Sequence, residues 1–193
     1  LQKLADSYNF VIACPDGFYD SWYIDSPIRK DYKMNSFITQ FLMPHLTNNY
    51  SINSKEVFIS ALSMGGFGAI YTFLKNPALF RSAAASSGVL NLLTFAENWG
   101  MKNSIGSIKD NYQDYVNVNT MSILDTISVF EKEFLIDCGT NDRIHITNDE
   151  FYKKCLSKKI PLTFISQPGR HDKAYWAKSI IFHLNFFREI LNR

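Results

Sequence analysis

The segment from Val57 to Ala69 constrains this chain most. The apolar run Val57-Phe58-Ile59-Ser60 leads straight into Ala61-Leu62-Ser63-Met64-Gly65-Gly66, and a helix-like stretch follows without a gap. A strand that must reverse into a helix so tightly strains the backbone at the bend and lifts that residue's side chain clear of the end of the sheet. Bulk two residues to either side would jam strand against helix. Ala61 and Gly65 occupy those positions, and Gly66 and Gly68 let the helix pack closely. Glycine is usual at both flanking positions, so Ala61 is a mild departure. The residue at the bend is Ser63, and a hydroxyl displayed in this way is a candidate nucleophile.

A serine at a turn gains meaning only when a base and a carboxylate follow in the right context. Phe134-Leu135-Ile136-Asp137-Cys138-Gly139 reads as a buried strand leading into Thr140-Asn141-Asp142. Leu162-Thr163-Phe164-Ile165-Ser166 reads as another, leading into Pro168-Gly169-Arg170-His171. The chain order is serine, aspartate, histidine, the order of the α/β-hydrolases and the reverse of the chymotrypsin arrangement. Functional groups of open α/β sheets collect beyond the carboxyl ends of the strands, where all three residues lie. Ser63, Asp142 and His171 are therefore the expected catalytic set. Of the other histidines, His45 and His183 fall within helical patterns, and His145 is near Asp142 but does not follow the last strand. Of the other acids, Asp137 is inside a strand, and Asp172 adjoins His171 and is badly placed to reach it.

The bulk properties exclude several alternatives. With 193 residues the chain is one domain by length, and 46% hydrophobic content supports a sizeable core. A net charge of +2 and a pI near 8.4 give no polyelectrolyte bias, so nucleic acid is not an expected partner. Lys153-Lys154 and Lys158-Lys159 read as the polar face of one helix. No apolar stretch approaches ~20 residues, so no membrane span is expected. Cys14, Cys138 and Cys155 have no metal-ligand spacing and are odd in number; Cys14 and Cys138 close apolar strands and read as small buried hydrophobes. Asn49-Tyr50-Ser51 fits a glycosylation sequon, a motif this short being more often incidental. No metal cluster, phosphate loop or cofactor fingerprint occurs, so neither metal nor cofactor is expected.

Five strands are expected: Phe10 to Cys14, Val57 to Leu62, Ser82 to Ser86, Phe134 to Cys138 and Leu162 to Ser166. Their short apolar or small-residue runs suit a parallel sheet buried on both faces. Helical patterns cover Asp31 to Tyr50, Gly66 to Asn76, Asn148 to Lys158 and about Lys173 to Asn192, and the alternation gives a doubly wound α/β domain. Residues 89–133 form a long connection with few clean periods, read as a cap over the pocket. The loop Pro15-Asp16-Gly17-Phe18-Tyr19-Asp20-Ser21-Trp22-Tyr23 follows the first strand and should border the site. Its aromatic side chains, Trp22 and Tyr23 above all, are candidates for a substrate-binding wall; the alternative is that Phe18 and Trp22 only pin the loop to the core.

Val11-Ile12-Ala13-Cys14-Pro15-Asp16-Gly17, Ser21-Trp22-Tyr23, Ala61 to Ala69, Cys138-Gly139-Thr140-Asn141-Asp142 and Pro168 to Trp176 together resemble the esterase D-like esterases. That group of α/β-hydrolases includes S-formylglutathione hydrolases, tributyrin-type esterases, feruloyl and acetyl-xylan esterases and mycolyltransferases of the antigen 85 type. The resemblance covers nearly the whole chain. It implies an α/β-hydrolase fold, a mostly parallel sheet of eight strands, of which the five here would be the last five, with the first strands lacking. It also implies an oxyanion hole with two backbone donors, one of them the N–H of Met64 and the other on a loop before Leu1. Leu1 to Asp6 reads as the end of a helix already in progress, and any leader would precede it, so the sequence assigns no compartment.

Three function classes follow. The first is a serine carboxylesterase acting on short acyl or hydroxycinnamoyl esters of small-molecule or carbohydrate alcohols, through an acyl-enzyme on Ser63. The second is an acyltransferase using the same three residues, in which an alcohol replaces water. The third is a non-catalytic domain that keeps the fold for binding, against which the intact serine, aspartate and histidine argue.

Overall fold

A computed structural model describes residues 1–193. Its centre is a four-stranded parallel sheet in the order β1-β2-β3-β4, with β1 Phe58–Leu62, β2 Ser82–Ser86, β3 Phe134–Gly139 and β4 Leu162–Gln167. Parallel neighbours need a crossover, and helices supply it. α1 spans Gln2–Tyr8. α2 (Met34–Ser36), a π-helical stretch (Phe37–Leu42) and α3 (Met43–Asn49) run on from one another. α4 is Met64–Lys75; α5, α6 and α7 are Met101–Ile105, Ile108–Val118 and Thr120–Thr126; α8 is His145–Ser157 and α9 is Lys173–Leu191.

The sequence of β2, Ser-Ala-Ala-Ala-Ser, is buried throughout, which suits a central strand with helices pressed on both faces. Successive side chains of a strand face opposite ways, and the core divides accordingly. Ala83, Ala85, Phe134, Ile136 and Cys138 join a cluster of 26 buried residues that includes Phe67 and Ile70 of α4 and Phe151 of α8. Ala84 and Leu135 face a cluster of 5 with Phe186, Phe187 and Ile190 of α9. Helices on both faces make the sheet doubly wound.

The structure corrects one expected strand. Phe10 to Cys14 is not a strand, because no neighbouring strand accepts its backbone. Within the segment Phe10 packs on the sheet, its ring meeting Phe58 edge-on at 5.9 Å, while Phe58 stacks on Phe187 at 4.5 Å. Cys14 is exposed, whereas Cys138 is buried as expected. The helix expected over Asp31 to Tyr50 starts at Met34. Residues 89–133 carry α5, α6, α7 and two short 3-10 turns. No helix is long and apolar enough to cross a membrane.

Candidate active site

The end of β1 presents Ser63. Its backbone sits at φ 54°, ψ −121°, a conformation that costs a non-glycine residue of order 1–3 kcal/mol and persists only where its surroundings impose it. One constraint is the Ser63 N–H, which donates to the Ser86 carbonyl at 2.9 Å. Another is the small-residue bracket: a Cβ built on Gly65 would lie 3.0 Å from the Ala61 Cβ, so alanine at one flank leaves room only for glycine at the other.

The ends of β3 and β4 carry the partners of Ser63. The Thr140 N–H donates to the Gln167 carbonyl at 2.8 Å and the Asn141 N–H to the Gly169 carbonyl at 2.9 Å, lashing the two loops together. Contact is so close at Gly139 that an added Cβ would fall 2.4 Å from the backbone of Gly169. Asp142 and His171 are thereby joined, with His171 Nδ1 2.8 Å from Asp142 Oδ2, and His171 Nε2 lies 2.9 Å from Ser63 Oγ. Burial alone would raise the Asp142 carboxyl, but hydrogen bonds from His171 and the Ile144 N–H outweigh it and hold the group below its ordinary value. An ionised carboxylate only accepts, so Nδ1 carries the proton and Nε2 presents a lone pair to the serine hydroxyl. Trp176 fixes the imidazole plane edge-on, with ring centres 4.9 Å apart.

The other histidines and acids lie elsewhere. His145 bonds Ser166 at 2.8 Å, and His45 on α3 lies beside Asn49. Asp172 caps α9 by accepting the Tyr175 N–H. Asp137 and His183 form a second array, with His183 Nε2 2.7 Å from Asp137 Oδ2 and Nδ1 2.7 Å from Ser60 Oγ. Ser86 and Ser179 also donate to Asp137. This array repeats the same three residue types, but Ser60 lies within a regular strand, has no turn to present it and does not line the cavity at Ser63. It ties α9 to three strands or their partners.

Ser63 and His171 open on a cavity of about 280 Å³. Met64 lines it and, as the first residue of α4, has no intrahelical acceptor for its N–H. Of the two expected wall residues, Trp22 lines the cavity while 1% exposed and packs edge-on against Phe67 at 5.8 Å, so it serves both wall and core. Tyr23 does not line it; its ring lies against Gly65 and Gly68 behind the bend. Phe18 stacks on Tyr32 at 5.4 Å, away from the core. Tyr19, Val89, Trp99, Arg143 and Ile144 complete the lining. Arg143 and Ile144 directly follow Asp142 and were within reach of the strand-end rule; Val89 and Trp99 come from the aperiodic 89–133 segment, which carries no such signal. A larger groove of about 790 Å³ contains Arg81 and Lys132, but it lies before β2 and β3, at the opposite ends of the strands.

Comparison with known proteins bears on the family and the fold. The family model described as "Putative esterase" matches residues 11–187. The chain is 27% identical to mouse S-formylglutathione hydrolase over 217 aligned positions, covering 99% of this chain and 76% of that protein. Among solved structures, an S-formylglutathione hydrolase from Agrobacterium tumefaciens superposes with a TM-score of 0.82 at 22% identity, over 98% of this chain and 76% of that one. A fluorophosphonate-binding serine hydrolase of Staphylococcus aureus gives 0.81 at 21% identity, over 97% and 74%. The chain belongs to this esterase family, α/β-hydrolase serine hydrolases that act on carboxylic ester bonds.

Proposed function

We propose that the chain hydrolyses short acyl esters or thioesters, hydroxycinnamoyl esters being the larger limit, through Ser63, His171 and Asp142. The observation that carries this reading is the continuous hydrogen-bonded row from Ser63 Oγ through His171 to Asp142 at 2.9 and 2.8 Å. A serine hydroxyl is a weak nucleophile at its free pKa, and an adjacent base overcomes that. As Ser63 Oγ bonds to the carbonyl carbon, its proton passes to His171 Nε2, and Asp142 stabilises the imidazolium. The carbonyl electron pair moves onto oxygen, for which the Met64 N–H is the donor in this reading; a donor of this kind is worth ~2.7–4 kcal/mol of barrier. The intermediate collapses, the bond to the leaving alcohol or thiol breaks, and His171 returns the proton to it. Water then attacks the acyl-Ser63 by the same route, releasing the acid and restoring the serine.

A cavity of about 280 Å³ is at or below the lower end of ordinary ligand pockets, which favours a small acyl group. The formyl group in the names of the mouse and Agrobacterium relatives is the smallest acyl there is. Residues 89–133 act as a cap in this reading, since Val89 and Trp99 close one side of the cavity.

Ser63→Ala is expected to abolish 4-nitrophenyl acetate turnover with an unchanged melting temperature, and a fluorophosphonate probe to label Ser63. His171→Ala should be as inactive, while His145→Ala keeps activity. Retained turnover in Ser63→Ala, or a label mapped to another serine, overturns the reading.

A further inference from the structure

Arg143 forms no salt bridge within the chain. It directly follows Asp142, lines the cavity that holds Ser63 and His171, and is exposed. No carboxylate pairs with it, whereas Arg29 meets Asp20 and Arg193 meets Glu133. Its guanidinium lies over the Trp99 ring, 4.8 Å from the centroid. A guanidinium resting on an aromatic face is held by the ring quadrupole while its N–H donors stay in its own plane, free for an acceptor. Trp99 is itself fixed, with Phe95 at 5.2 Å and Trp22 at 6.5 Å between ring centres, and it holds φ 51°, a left-handed conformation that is rare for a bulky residue.

The remaining lining residues are apolar, aromatic, hydroxyl-bearing or imidazole, so Arg143 alone gives the cavity a fixed charge. Arg170 also lacks a carboxylate partner and stands next to His171, but it does not line the cavity. A positive group in a small cavity with largely apolar walls attracts an anion more strongly than one on an open surface, because the walls focus its field. Planar bidentate donors suit a carboxylate in particular.

We propose that Arg143 is a specificity-determining residue that makes the site prefer esters or thioesters bearing a carboxylate or similar anionic group close to the scissile carbonyl. The inference rests on the serine-hydrolase reading of Ser63 and His171. The anionic group can belong to the acyl part or to the leaving group, and matched substrate pairs separate the two. Mono-4-nitrophenyl succinate against 4-nitrophenyl valerate tests the acyl side. 4-Acetoxybenzoate against its methyl ester tests the leaving-group side.

The quantity read is the ratio of kcat/KM within each pair, so a general loss of activity in a variant cancels. The wild-type chain is expected to favour the charged member of one pair by roughly tenfold, the usual weight of a charge-assisted hydrogen bond. Arg143→Gln should abolish that ratio, Arg143→Lys should keep part of it, and Arg170→Gln should keep it whole. Added salt should shrink it. Ser63-dependent turnover with the same ratios in wild type and Arg143→Gln would overturn the inference and leave the hydrolase reading standing. A loss of the ratio in Arg170→Gln equal to that in Arg143→Gln would also overturn it, since general steering would then be the cause. No turnover of any substrate, with Ser63 unlabelled by fluorophosphonate, would overturn both.

Discussion

Asp142 decides where the protons of the site stand. Its carboxylate accepts from His171 Nδ1 and from the Ile144 N–H, so the lone pair of Nε2 is left for Ser63. In Asp142→Asn an amide N–H can donate to Nδ1 instead, which moves the ring proton to Nε2 and removes the acceptor that Ser63 needs. Turnover should fall by roughly four orders of magnitude while the cavity keeps its shape. The same residue predicts a pH signature. Its folded pKa is depressed, so the stability it adds is fully present above the unfolded carboxylate value of about 3.9 and is lost as pH falls through the folded value. The gap in melting temperature between wild type and Asp142→Asn should therefore be widest above about pH 5 and close on acidification below about 3.9. A gap that widened toward low pH would contradict the hydrogen-bonded carboxylate.

At the scale of elements, the site depends on how closely the loops after β3 and β4 pass. Gly139 is the point of nearest approach, where a Cβ would lie 2.4 Å from Gly169. Gly139→Ala must push the loops apart. Overpacking of this kind typically costs about 1–3 kcal/mol, whereas a shift of about 1 Å between catalytic groups can cost a hundredfold in rate. The expected result is a modest fall in melting temperature with a much larger fall in kcat; unchanged kcat would show that the loops move as one body. These elements were legible because each signal is local: an apolar run, then a turn, then Ser63, Asp142 or His171. Phe10 to Cys14 carries the same local signal and yet forms no strand, since pairing is set by which strand lies alongside, and no periodicity within the segment reports that. Cys14, at the end of this segment, is exposed. Trp99 carries no such local signal: what brings it against Arg143, the residue after Asp142, is the path of residues 89–133, a long-range property. Tyr23 shows the converse, a residue in the expected loop whose side chain turns behind the bend.

Across the whole molecule the two faces of the sheet are unequally secured. One face holds the cluster of 26 buried residues, with α4 and α8 packed into it; the other holds a cluster of 5 beneath α9. Polar bonds compensate on the weaker face, where His183 of α9 reaches both Asp137 and Ser60, and Ser179 adds a further bond to Asp137. Because α9 begins two residues after His171, the hold on this helix is also a hold on His171. Local opening free energies follow buried contact density, so the amides of α9 should exchange faster than those of α4 in native-state hydrogen exchange. His183→Ala leaves the buried Asp137 short of a donor, a loss of about 1–3 kcal/mol. If the helix opens as a unit, that variant should speed exchange in α9, leave α4 protected and lower turnover through a less well-placed His171. Equal acceleration in α4 and α9 would instead mean that both faces open together and that the polar network stabilises the molecule as one cooperative body.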